Sequence, residues 1–233
     1  MEFFQKPLVI IPAYNEEKSV GKVIAEVRQY LPEADILVIN DGSTDATGER
    51  IRKEGVLVLE HPYNMGIGAT MQTGFLYASR KGYPLAFQVD GDGQHDPKYL
   101  KELTSPILKG EVDMVVGSRY LEATGFKSSV FRRMGIRFFS ILHYLLSGNR
   151  VTDPTSGFRA LNKKVIDFFS EEYPSDYPEV ESLLLLRKKK FTFKEIPVIM
   201  KERQQGVSSI NFLKSIYYMV KVTLSMLIGR LKR

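Results

Sequence analysis

The stretch Leu85-Ala86-Phe87-Gln88-Val89-Asp90-Gly91-Asp92-Gly93-Gln94-His95-Asp96-Pro97 changes character at its middle. An apolar run of strand type ends in three carboxylates, Asp90, Asp92 and Asp96. Like charges this close repel and raise one another's pKa unless something positive lies between them. Either water solvates them separately or a cation holds them. An EF-hand-type calcium loop is excluded: its twelfth position, counted from Asp90, is Lys101, and a strand precedes it instead of a helix. A solvated turn with Pro97 opening the next helix does not require an acid on the buried strand itself. Two carboxylates at i and i+2, with the Gln94 amide oxygen or the His95 imidazole, make a partial shell for a hard divalent cation. Water and substrate phosphate oxygens complete such shells.

Working outward, the first half of the chain alternates. Strand-like runs cover Pro7–Pro12, Asp35–Asn40, Val56–Leu59, Leu85–Asp90 and Asp113–Gly117, with helix-like segments at Glu17–Tyr30, Thr44–Lys53, Gly68–Lys81 and Pro97–Lys109. That pattern predicts βαβ units and a Rossmann-like, mostly parallel sheet flanked by helices. Ligands bind outside the carboxyl ends of such strands, and the unusual residues gather there: PAYNEE, NDGSTD, DGDGQHD and GSRY follow four of the five strands. The second half reads as a helix at Ser128–Ser147, a loop TDPTSGFRA, a helix near Lys163–Phe169, another at Glu179–Lys190, a late strand at Phe191–Lys201 and a final helix at Ile210–Arg233.

Composition narrows the classes. With 43% hydrophobic and 26% charged residues the chain is globular. It has no cysteine, which excludes a disulfide framework and thiolate chemistry and suits a reducing compartment. The N-terminus shows no signal-peptide pattern. Charge is uneven: up to Ser118 there are 12 Lys and Arg against 17 Asp and Glu, and beyond it 21 against 10. An anionic partner for the basic half, or a plain solvated basic face, explains this. Nucleic acid is not supported, since there is no zinc spacing, RNP strand or recognition helix. Between Lys214 and Arg230 the one charge is Lys221. Lys214, Lys221, Ser225 and Lys232 form a polar stripe beside a broad apolar face. That suits a helix lying in a membrane interface; the alternative is docking on the domain's own core. The helix around 131–146, with Arg132, Arg133 and Arg137 among aromatic and aliphatic residues, is a second amphipathic segment.

The other motifs carry less on their own. In IPAYNEE, Pro12 fixes the chain while Tyr14 and Glu16 offer a ring and a polar edge for a base or ribose; a plain helix start reads equally well. In NDGSTDAT, Gly42 permits a tight turn and Ser43 or Thr44 can cap a helix, which leaves Asp41 and Asp45 unexplained. HPYNMGIGATMQTG has neither a full dinucleotide fingerprint nor a P-loop lysine. Arg119 pairs with a nearby carboxylate or meets a phosphate, for which a planar fork is suited.

Together, IPAYNEE, NDGSTDAT, NMGIGAT, VDGDGQHDP and VVGSRY, in this order, resemble the family 2 inverting glycosyltransferases of GT-A fold. TDPTSGFRA and RQQGVSS resemble the subgroup of dolichol-phosphate mannose synthase and bacterial polyprenyl-phosphate glycosyltransferases. The resemblance spans Leu8 to Ser209 and implies a catalytic domain over 1–209. Its nucleotide-sugar half covers about 1–118 and its acceptor half about 119–209, with an amphipathic helix at 210–233. It implies that Pro12, Tyr14, Glu16 and Asp41 contact the nucleoside, and that Asp90, Asp92 and Gln94 hold Mg²⁺ or Mn²⁺ on the diphosphate. It also implies that Arg119 and one of Arg132 and Arg133 meet the acceptor phosphate, and that Arg203, in the segment ending at Ser209, closes over the donor. Many members carry membrane-spanning helices after this domain. One interfacial-looking helix here leads us to expect a small membrane-protein partner or a homo-oligomer. The expected activity is transfer of a sugar from a UDP- or GDP-sugar to undecaprenyl or dolichyl phosphate at the cytoplasmic face of a membrane. A phosphate acceptor needs no strong base, and His95 then reads as structural or supporting more than catalytic. The rivals are a glycan-hydroxyl acceptor, with Asp153 or Glu179 as base, and an idle nucleotide-binding scaffold.

Overall fold

A computed structural model describes residues 6–122, 130–175, 178–201 and 220–224. Seven strands form one sheet: β1 Leu8–Ala13, β2 Asp35–Asn40, β3 Leu57–Glu60, β4 Leu85–Gln88, β5 Met114–Ser118, β6 Arg159–Asn162 and β7 Phe193–Pro197. The helices are α1 Val20–Tyr30, α2 Thr47–Lys53, α3 Ile67–Lys81, α4 Leu100–Leu108, α5 Val130–Ser147, α6 Lys163–Glu171 and α7 Pro178–Lys188. The strand order is β3-β2-β1-β4-β6-β5-β7, and β6 runs antiparallel to both its neighbours.

A sheet covered on both faces needs strands that are apolar throughout, and β1 shows how. Val9, Ile11 and Ala13 enter the core beneath α1 and α4 with Val23, Ile24, Val27, Leu100 and Leu103. Leu8 and Ile10 enter the opposite core with Met71 and Phe75 of α3, Ile166 and Phe169 of α6, and Leu183 and Leu186 of α7. On that side α3 approaches closely at Gly74, where a Cβ would lie 2.5 Å from Ile10 Cγ2.

The chain winds from β1 outward to β3, then crosses back to place β4 on the other side of β1. This makes the β1/β4 boundary the topological switch point, where open α/β sheets bind ligands. The acidic loop after β4 and the PAYNEE segment after β1 both emerge there. Val89 N–H donates to Ile10 O and Gly91 N–H to Pro12 O, so the two segments stay paired as they leave the sheet. Gly91 is required at that contact, since a Cβ would sit 2.9 Å from Pro12 O.

Two expected boundaries move for one reason. Helices α1 and α2 begin at Val20 and Thr47, three residues later than their sequence pattern indicates. The intervening backbone is already bonded across the two loops. Asn15 N–H donates to Ser43 Oγ, Glu16 N–H to Thr47 Oγ1, Thr44 N–H to Asn15 Oδ1 and Ala46 N–H to Glu17 Oε2. Strand β6 begins inside the segment expected to be a loop. Of the final helix, only 220–224 lie among the described residues. They are helical, and Val222 is buried against Phe139 of α5 and Val180 of α7.

Candidate active site

Asp90 and Asp92 stand at the switch point. The chain turns back on itself at Gly93 (φ +77°), and Gln94 N–H donates to Asp92 Oδ1 at 3.0 Å. Asp90 keeps about a third of its side chain exposed. Gln88 Nε2 approaches its Oδ1 at 3.4 Å, and His95 Nε2 lies 3.5 Å from its Oδ2. Gly157, in the loop before β6, packs directly above: a Cβ there would lie 2.7 Å from Gln88 Nε2 and 3.3 Å from Asp90 Oδ1. Two carboxylates and the Gln94 carboxamide are hard oxygen donors, the chemistry Mg²⁺ and Mn²⁺ prefer. Among the described residues no group of three or more His, Cys, Asp or Glu side chains could hold a metal ion. Asp90, Asp92 and Gln94 make an open set of oxygen donors, which fits a divalent ion shared with a substrate phosphate.

On the β1 and β2 side, Pro12 is buried and Tyr14 turns its ring outward, 45% exposed. Glu16 accepts from Ser19 Oγ at 2.7 Å. Asp41 is nearly fully buried and gathers the loop that enters α3. Its Oδ1 meets His61 Nδ1 at 2.7 Å and accepts Met65 N–H at 2.9 Å, while Oδ2 accepts Gly66 N–H at 3.0 Å. The acid at position 45, unexplained by capping alone, bonds the PAYNEE loop. Burial works to raise its pKa, but hydrogen bonds from Thr47 and the Glu17 N–H outweigh it and hold the carboxyl below its usual value.

At the ends of β5 and β6 the chemistry is buried. Arg119 is 4% exposed, and Asp153 has no exposed surface. Arg119 donates Nε to Asp153 Oδ2 at 2.6 Å and Nη2 to Oδ1 at 2.7 Å, and its backbone N–H adds a third bond at 3.1 Å. Burial opposes the guanidinium charge, but Asp153 more than offsets it and holds the pKa above its ordinary value. Arg119, which the resemblance places on the acceptor phosphate, makes its bidentate pair with Asp153, the carboxylate partner that was the other reading. The sequence offered both readings and gave no means to choose between them. From β7, Glu195 accepts the N–H groups of Thr152 and Asp153 at 2.7 and 2.8 Å, which fixes the same loop.

Residues that sequence reasoning missed lie behind Asp90. Arg159 is fully buried on β6. It donates to Ser156 O, Ser182 Oγ and Glu179 O at 2.9, 2.7 and 2.6 Å. Burial pushes the Glu179 carboxyl above the usual range, Arg159 pulls against this, and the charge of Asp90 adds to it. Buried polar strand positions such as Gln88 and Arg159 leave no hydrophobic period to read.

Of the remaining expected residues, Arg133 is exposed on α5 and Gln94 accepts the Lys201 N–H at 2.8 Å. The acceptor is the Gln94 backbone carbonyl, so the bond holds Lys201 against the acidic loop. Arg203, Ser209 and the side chain of Arg132 lie outside the described residues.

A mixed sheet with paired acids at its switch point defines an α/β domain whose carboxyl edge is the place for a ligand. The profile of the family described as Glycosyl transferase family 2 matches residues 8–169, and the chain belongs to that family. It is 31% identical over 211 residues to the UDP-N-acetylglucosamine–dolichyl-phosphate N-acetylglucosaminyltransferase of Methanococcus voltae, covering 82% of this chain and 83% of the relative. It is 29% identical to the polyprenol monophosphomannose synthase of Mycolicibacterium smegmatis, covering 98% and 90%. Among solved structures, the Mycobacterium tuberculosis glucosyl-3-phosphoglycerate synthase in complex with Mn²⁺, UDP and phosphoglyceric acid superposes with a TM-score of 0.75 at 20% identity. That match covers 97% of this chain and 78% of that one. The fold is GT-A, and the protein is a glycosyltransferase.

Proposed function

We propose that the protein transfers a sugar, with inversion, from a UDP- or GDP-sugar to a polyprenyl phosphate at a membrane surface. An acceptor phosphate oxygen attacks the anomeric carbon and forms the new C–O bond. The bond from that carbon to the donor diphosphate breaks, and the nucleoside diphosphate leaves with the electron pair. Pro12, Tyr14, Glu16 and Asp41 form the nucleoside side. Asp90, Asp92 and Gln94 would hold Mg²⁺ or Mn²⁺, which when bound neutralises charge on the departing diphosphate. Arg203 closes over the donor from the segment beyond Lys201, which ends at Ser209. Arg133, with Arg132, receives the acceptor phosphate, and Arg119 serves that side through Asp153 by holding the 152–157 loop.

The observation that carries the lipid acceptor is the outer face of α5. Met134, Phe138, Ile141 and Leu145 fall on one helical stripe and are 43–67% exposed. Arg133 and Arg137 flank them and are exposed as well. An apolar stripe this exposed to water marks an interaction surface; one flanked by arginines suits a lipid interface. Among the described residues no helix is long and apolar enough to cross a membrane. Several relatives named for dolichyl- or polyprenyl-phosphate acceptors support the same reading.

The second reading, a hydroxyl acceptor, takes Glu179 as the base, a carboxyl that burial pushes up and that feels the charge of Asp90. Asp153 is less suited, being fully buried on Arg119. Transfer assays of Asp92→Asn and Glu179→Gln separate the readings. Loss of at least about 100-fold for Asp92→Asn, with a folded protein and only a small effect of Glu179→Gln, supports the phosphate acceptor. Equal collapse of both supports the hydroxyl acceptor, and full activity of Asp92→Asn overturns the cation assignment.

A further inference from the structure

We propose that His95 is a positioning residue that sets Asp90 for the divalent cation, an inference that rests on reading the Asp90–Asp92 loop as the cation site. The Asp90 backbone N–H donates to His95 Nδ1 at 3.0 Å. A ring nitrogen that accepts carries no proton, so the proton is on Nε2. That nitrogen lies 3.5 Å from Asp90 Oδ2. One ring therefore faces the same residue at two points, its backbone and its carboxylate.

The ring is itself fixed. It is 3% exposed and stacks on Phe158, with centroids 4.8 Å apart and planes 14° from parallel. Phe158 is fully buried in the core beneath α1 and α4. The return of residue 95 onto residue 90 depends on the loop's glycines: Gly91 passes Pro12 O at close range, and Gly93 takes a positive φ. Gln88 Nε2 reaches the other carboxylate oxygen at 3.4 Å. Gln88 donates at long range, and the His95 ring, held by the Asp90 N–H, lies against the other oxygen without a hydrogen bond to it. These neighbours orient the carboxylate without cancelling its charge, whereas the short guanidinium bonds to Asp153 commit that acid to a partner. Neutral neighbours of this kind position a carboxylate for a metal while leaving it free to ligate.

The test is an EPR titration of Mn²⁺ with UDP and, separately, GDP present. It uses wild type, His95→Phe, His95→Asn and His95→Gln. Nucleotide binding in EDTA and thermal melting are measured on each. His95→Phe keeps a ring to stack on Phe158 and removes both nitrogens. It is expected to weaken Mn²⁺ binding about 10- to 100-fold, with nucleotide affinity in EDTA unchanged and only the modest fall in melting temperature that the lost Asp90 N–H bond implies. His95→Asn, which keeps an acceptor, and His95→Gln, which keeps a donor, should each recover part of the loss. Unchanged Mn²⁺ affinity in a folded His95→Phe overturns the inference. A fall in Mn²⁺ affinity only in step with melting temperature and metal-free nucleotide binding also overturns it, assigning the ring to packing. If His95→Phe does not fold, wild-type affinity in both amide variants overturns it instead. A wild-type protein that binds nucleotide but no Mn²⁺ overturns the cation reading and this inference with it.

Discussion

Arg119 and Asp153 show how burial decides what a charged residue does. Both are out of water and joined by two side-chain bonds of 2.6 and 2.7 Å. Removing one partner of such a pair leaves the other charge unpaired in a low-dielectric setting, at a cost of about 3–5 kcal/mol. Arg119→Ala should lower stability in urea denaturation by that amount, and Arg119→Lys should restore little, because an ammonium cannot reproduce the bidentate fork. If Arg119 binds the acceptor directly instead, Arg119→Ala will raise the KM for lipid phosphate with stability unchanged. The acids at 90 and 92 were legible from the sequence because their crowding has no cheap structural explanation. The acids at 41 and 45 read less clearly. Four of their partners are the backbone N–H groups of Met65, Gly66, Glu17 and Thr47, which no pattern of side chains marks, and His61 reaches Asp41 from 20 residues away.

At the scale of elements, the parallel strands were legible because a doubly covered sheet needs continuous apolar runs, and Leu8–Ala13 and Asp35–Asn40 supply them. Strand β6 was not. It has four residues, it opens on a buried arginine, and its pairing with β4 and β5 is set by tertiary contacts. One side chain joins the far end of that pairing to its neighbours. Asp113 accepts from Thr192 N–H, Thr192 Oγ1 and Asn162 Nδ2, each at 2.9 Å, which ties the start of β5 to the end of β6 and the approach of β7. Burial raises the pKa of this carboxyl, but those bonds outweigh it and hold the value below 3.8. A depressed acid contributes stability above its unfolded pKa and loses it as pH falls through the folded one. Asp113→Ala should therefore cost about 1–2 kcal/mol near neutrality. Melting curves of variant and wild type should converge as pH drops below 3.8; a gap that persists in acid would mean the loss is one of packing. Helix α5 carries a second prediction at this scale. Phe138→Ser with Leu145→Ser alters exposed positions, so melting should hardly change. Partition onto anionic vesicles should fall at least about tenfold, given about 1.5–3 kcal/mol per fully buried large apolar side chain. Equal vesicle binding would remove α5 from the interface.

For the whole molecule, the proposed function puts the donor at the β1/β4 switch point and the anionic acceptor against the basic second half. That assignment is the reading the uneven charge along the chain suggested. The electrostatic share of acceptor binding should weaken as salt shortens the Debye length below about 10 Å. The sugar and base are set by loop contacts and pocket shape, which a motif does not encode. The central claim is tested most directly by transfer in a detergent or liposome assay. It would pair radiolabelled UDP- and GDP-sugars with undecaprenyl phosphate, in Mn²⁺ or in EDTA. Labelled lipid formed in Mn²⁺ and abolished by EDTA is the expected result, and it names the donor. Labelled lipid that forms equally in EDTA, or label that enters only a hydroxyl-bearing glycan, would contradict the account.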